Sequence, residues 1–127
     1  MNYYSPKHKS YFGKVAEHLN KDNNKLVSAV YLLSADTQLW RKIEARVGYN
    51  SIDFAGLIVG TISESAYTLL CCAKDLYFGA KHITISDLAD EDLVPNKLFE
   101  IICNAMMICR IGINAIIETE DNKCLMQ

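Results

Sequence analysis

The chain predicts an all-α fold: a single-domain bundle of five or six helices built round two central apolar ones. Three observations carry this. In LFEIICNAMMICRIGINAII, Leu98 to Ile117, the polar residues are placed by helix geometry. At about 100° per residue, Lys97, Glu100, Asn104, Arg110, Asn114 and Glu118 share one arc of roughly 140°, and the remainder is apolar. Second, capping residues stand directly before the apolar stripes at Ser5, Asp36 and Thr61. Third, 127 residues, half of them apolar and 22% charged, suffice for one core without staples and are too apolar for disorder.

Ser5-Pro6 begins the first helix, since the Ser hydroxyl can accept a free N–H and Pro at the first helical position sacrifices no hydrogen bond. Phe12, Val15, Ala16 and Leu19 form its inner stripe, and it is expected to end near Asn20. After the turn Lys21 to Asn24, LVSAVYLLS from Leu26 to Ser34 is apolar nearly all round and reads as a buried helix, with a strand as the alternative. Asp36 caps a third helix that buries Leu39, Trp40, Ile43 and Val47, and Gly48 is expected to end it in a left-handed conformation. Residues 49–60 carry mixed signals and stay unassigned.

Thr61 and Glu64 match the capping box T-x-x-E, opening a helix with Ala66, Leu69, Leu70, Ala73 and Leu76 on one side and Gly79 as its stop. Ser86 is expected to cap a short acidic turn holding Asp87, Asp90 and Asp92, whose charges suit a helix N-terminus. Pro95 opens the long helix described first, and residues 119–127 form a polar, frayed tail. The helices starting at Thr61 and near Pro95 are expected to form the centre, with short loops and mostly local contacts.

A membrane span is the rival reading of Leu98 to Ile117. Arg110 in mid-segment would cost about 2.5–3.5 kcal/mol even on the lenient insertion scale, so no membrane role is expected. A polar start and five cysteines, an odd number without a CxxC pair, indicate a cytoplasmic chain with reduced, packed thiols and no metal site or cofactor. Arg110 should find a carboxylate, with Asp75, Asp36 and Glu100 as candidates.

Chemistry-bearing motifs are sparse. His8, His18 and His82 lie on a terminal helix and in a connection, and GLIVGTIS lacks the lysine and spacing of a phosphate loop. Cys71-Cys72 has only Lys74 nearby to favour a thiolate. A small enzyme is therefore the weakest of three readings. Lys plus Arg minus Asp plus Glu gives 8 − 4 = +4 for residues 1–50 and 5 − 11 = −6 for residues 51–127. The first half carries WRKIEAR, in which Arg41, Lys42 and Arg46 accompany Trp40, the basis for a nucleic-acid-binding alternative. The leading reading is a non-enzymatic protein-interaction module. Cys103, Met107 and Ile111 are apolar residues inside the polar arc of the last long helix, where they are covered by the first helix or the tail of the same chain or form a candidate partner or homodimer surface, with Asp87, Asp90 and Asp92 as a second, acidic one.

Taken in order, SPKHKSYF, AVYLLS with the following WRK, AYTLLCCAKDLYFG, ISDL and LFEIICNAMMICRIG give a chain that resembles small uncharacterised helical proteins of Firmicutes and their phages or mobile elements. The likeness covers roughly residues 5 to 112 and transfers no catalytic residue. It implies a cytoplasmic accessory protein of a bacterium or phage that inhibits a host defence component by occlusion, in the manner of an anti-CRISPR.

Overall fold

A computed structural model describes the backbone of residues 1–126 and the side chains up to residue 120, except that of residue 119. Its described residues form seven α-helices: α1 (Pro6–Ala16), α2 (Asn24–Leu33), α3 (Thr37–Ile43), α4 (Glu64–Phe78), α5 (Ile85–Leu88), α6 (Asn96–Ile111) and α7 (Ile113–Met126). The fold class is as expected. Among the described residues no helix is long and apolar enough to cross a membrane.

The organising element is α2. Every side chain from Leu26 to Leu33 is buried, because α4 and α6 pack against it from two sides while the N-terminal segment and α1 close a third. A helix that is apolar all round belongs at the centre of a core. The expected pair of central helices is thus the pair that encloses α2. The principal contacts of α2 are distant in sequence, as the hydrogen bond from Asn104 Nδ2 to Tyr31 Oη spans 73 residues.

Several boundaries follow their predicted caps. Ser5 Oγ accepts the His8 N–H at 3.1 Å, Asp36 Oδ1 accepts that of Leu39 at 2.9 Å, and Gly79 ends α4 at φ 72°. Others move. The first helix stops at Ala16, short of Asn20. α3 ends at Ile43 and passes through a 3-10 turn, Glu44–Arg46, into an antiparallel bridge between Val47 and Ile52, where Gly48 N–H donates to Ser51 O. Gly48 has no positive φ, because the chain turns there as a small hairpin and not as a helix end. Residues 48–62 contain no helix; Ile52 N–H donates to Tyr77 Oη, and Phe54 packs against Tyr77 and Phe78.

Thr61 does not cap α4. Lys42 holds Val59 O at 2.5 Å and Gly60 turns at φ 64°, which keeps residues 59–62 out of the helix, and Ser63 accepts the Ala66 N–H instead. Thr84, not Ser86, caps α5, in a reciprocal box with Asp87 at 3.0 and 2.9 Å. The long last helix is broken at Gly112, whose φ of 88° and ψ of 153° no helix tolerates. This break raises the helix number above the expected five or six, and α7 carries helical backbone through the stretch expected to fray as far as Met126; the side chains from 121 onwards lie outside the described residues.

Burying the end of α2 leaves carbonyls in need of donors. His8, fully buried, supplies one. Its Nδ1 accepts the Tyr4 N–H at 2.9 Å, so Nε2 carries the proton and donates to Tyr31 O at 2.7 Å. Ser34 Oγ donates to Val30 O, and Tyr31 Oη donates to Asn2 O. The neutral imidazole is required, because a second proton on Nδ1 would expel the Tyr4 N–H. Burial accordingly lowers the His8 pKa from 6.5 to about 4, against the opposing effect of the Tyr31 carbonyl. A pKa lower in the folded state than in the unfolded one means that the unfolded chain takes up the proton first. Stability is then complete above about pH 6.5 and declines as pH falls to about 4, by roughly 3 kcal/mol over that window. Urea melts across it should show this slope. His8→Gln should be less stable at neutral pH by about 2 kcal/mol yet show a flatter decline; an unchanged slope would assign the effect to other groups.

Candidate functional site

The face of α6 turned away from α2 leaves a group of large apolar side chains exposed among the described residues. Phe99, Met106, Met107 and Ile111 are between 39% and 46% exposed, and Cys103 lies half-buried among them. Phe99, Cys103, Met106 and Arg110 follow one another at four-, three- and four-residue spacing, so they form one ridge along the helix. The predicted trio Cys103, Met107 and Ile111 is thus brought to the surface together. Phe99 and Met106 are the members that the sequence pattern placed in the core.

The reason is a rotation of the wet strip. Asn104 is half-buried and bonds Tyr31 Oη, and Lys97 lies over the Tyr4 ring at 5.0 Å, so α2 and the N-terminal segment together take up the flank bearing these polar residues. The opposite flank, with Phe99 and Met106, is left in the open. Beside it α4, α5 and α6 enclose an apolar cleft of about 210 Å³, floored by Cys72, Leu76, Leu88 and Ile102, with Ile85 and Met106 at its edge. Ile85 is 87% exposed there.

The acidic turn borders the same cleft through α5. Asp87 is engaged in the capping box with Thr84, and Asp90 Oδ1 accepts the Asp92 N–H, but none of Asp87, Asp90, Glu91 and Asp92 is paired with a cation among the described residues. Their hydrogen bonds are local and their charge is uncompensated.

The basic trio is elsewhere and differently occupied. Arg46 Nη1 bonds Asp53 Oδ2 at 3.0 Å and packs over Gly56, where a β-carbon would collide with the guanidinium. Lys42 holds Val59 O. Two of the three cations on the predicted nucleic-acid face therefore fasten residues 48–62 to α3, and Arg41 remains exposed beside them. Arg110 is exposed as well and forms no ion pair among the described residues, contrary to the expected partnership; Asp36 caps α3, and Asp75 is engaged with His82.

Among the described residues, that last pair is the constellation that most resembles catalytic machinery. Asp75 Oδ1 lies 2.6 Å from His82 Nδ1, and the carboxylate also accepts the His82 and Ile83 N–H groups at 2.8–3.0 Å. Burial alone would raise the Asp75 pKa, but these donors outweigh it and hold the carboxyl below its ordinary value. Cys72, one turn earlier, is buried, and burial foremost, with help from the Asp75 charge, pushes its thiol up to about 12, away from the thiolate form. The carboxylate is an anchor for residues 80–83. Among the described residues no group of three or more His, Cys, Asp or Glu is placed to hold a metal ion.

No protein-family model, curated protein or solved structure matches the chain.

Asp75→Ala should lower stability by about 2–3 kcal/mol, the loss expected for hydrogen bonds to a charged acceptor, and speed amide exchange at His82 and Ile83. Its folded-state pKa is depressed, so the contribution is present above the unfolded pKa near 4 and disappears as pH falls through the folded value. An unchanged melting temperature at neutral pH would show that the loop is held by other means.

Proposed function

We propose that the protein is a non-enzymatic interaction module that docks a basic amphipathic helix of another protein on the exposed side of α6 and the adjoining cleft. One observation carries the reading: Phe99, Met106, Met107 and Ile111 stand in the open on one helix face that continues into an apolar cleft. A helix laid into such a groove would bury its own apolar stripe, as helix-in-groove complexes do, and methionines adapt their shape to the incoming side chains. The uncompensated carboxylates of Asp87, Asp90, Glu91 and Asp92 favour a cationic partner. They disfavour a second copy of this chain, which would bring the same charges to the contact. Occlusion of a bacterial defence component, the context implied by the sequence resemblance, is one use of such a face. Nucleic acid is the weaker reading, because Lys42 and Arg46 are engaged within the chain.

A fluorescein-labelled lysine- and leucine-rich amphipathic peptide tests this by fluorescence polarisation. We expect a Kd of about 1–100 µM that weakens as salt rises, and at least a tenfold loss in Met106→Lys and Met107→Lys, whose helix propensities match the parent. Binding that neither variant alters would sink the proposal. So would sedimentation of the wild type as a dimer that Met107→Lys divides, because the occupant would then be a second copy.

A further inference from the structure

On the side of the molecule formed by α1, α2 and α7 lies a second cleft, of about 350 Å³. Its walls are Phe12, Gly13 and Ala16 from α1, Val27 from α2, and Ile113 and Ile117 from α7. The volume falls within the range of about 300–1,000 Å³ typical of small-molecule sites. Two features beyond its shape point to a ligand.

The first is Gly13. Glycine within a helix costs about 0.5–1 kcal/mol relative to alanine, so its presence needs a reason. Backbone conformation does not supply one, since Gly13 lies inside α1 and has no positive φ. Packing does not either, because a β-carbon built there would meet nothing within 4 Å. What the missing side chain leaves is the space of the cleft. The second feature is charge. Lys9 and Lys21 line the same cleft, both are exposed, and neither has a carboxylate partner among the described residues. Among the described residues the one carboxylate lining the cleft, Glu120, is paired with the Met1 amino group. A largely apolar cleft lined also by two lysines suits a molecule having an apolar tail and an anionic head.

We infer that this cleft binds a free medium-chain carboxylate of the fatty-acid class, its tail lying against Gly13 and its head on the lysine ammonium groups. The site is separate from the α6 face and does not depend on the proposal made for it.

Titration of the full chain with dansyl-labelled undecanoic acid, followed by competition, tests the inference. Decanoate should displace the probe, and decyltrimethylammonium should do so at least tenfold less well, since its tail is alike and its head repels lysine. Gly13→Leu should fill the cleft, raise or preserve the melting temperature and weaken the probe at least tenfold. Ile117→Glu, at a half-exposed position, provides a second variant should Gly13→Leu fail to fold; its carboxylate should weaken decanoate while the circular dichroism spectrum is kept. Met107→Lys, on the other face, should leave the probe unaffected. The inference is overturned if the ammonium compound competes as well as decanoate, if a folded Gly13→Leu or Ile117→Glu protein binds as the wild type does, or if Met107→Lys abolishes binding. An absence of probe binding overturns it too.

Discussion

A helix with no wet face must have every polar group answered from within the protein, and α2 imposes that requirement on the rest of the structure. Burying Leu26, Val27, Val30, Leu32 and Leu33 supplies roughly 1.5–3 kcal/mol per side chain, but only if the carbonyls at the helix end and the Tyr31 hydroxyl are not left bare, each of which would cost about 1–3 kcal/mol. The answers come from four elements: His8 of α1, Ser34 of α2's own end, Asn2 of the N-terminal segment and Asn104 of α6. No buried side-chain nitrogen or oxygen among the described residues lacks a partner. The Asn104 bond also ties α6 to α2 with that residue turned inward, and so bears on which of its residues face water.

Much of the fold was legible because its signals are local. Ser5-Pro6, Asp36 and Gly79 act where they stand, through hydrogen bonds to residues three or four positions away or through a left-handed backbone. The failures arise where two local signals compete and a distant contact decides. Thr61 and Ser63 are both competent caps, and the choice falls to Lys42 holding Val59 from across the loop. Ser86 loses to Thr84 because only Thr84 stands three residues before the Asp that completes the box. Gly112 sits in an unbroken apolar period, so nothing in the pattern marks the break; in the structure a β-carbon there would come within 3.1 Å of Asn24.

The candidate docking face was half legible. Apolar residues in a polar arc drew attention to Cys103, Met107 and Ile111, whereas Phe99 and Met106 were indistinguishable from core positions. The assumption behind the arc was that polar residues mark the solvent side. Asn104 instead meets Tyr31 of α2 and Lys97 meets Tyr4 of the N-terminal segment, which no periodicity within α6 could reveal. Charge misled in the same way: Arg41, Lys42 and Arg46 read as a solvated basic stripe, but two of them serve as fasteners for a loop whose position is set by tertiary structure.

The place of α2 in the chain has a consequence for biosynthesis. Its principal covers, α4 and α6, are translated after it, and the chain between Leu33 and Asn96 must be made before the second begins to appear. At about 5–20 residues per second, that interval lasts on the order of 3–12 s, during which the most apolar helix of the protein lacks the cover of α6. The nascent polypeptide therefore passes through a period in which Leu26 to Leu33 is a ready ligand for a ribosome-associated chaperone, or for another unfinished copy on the same message.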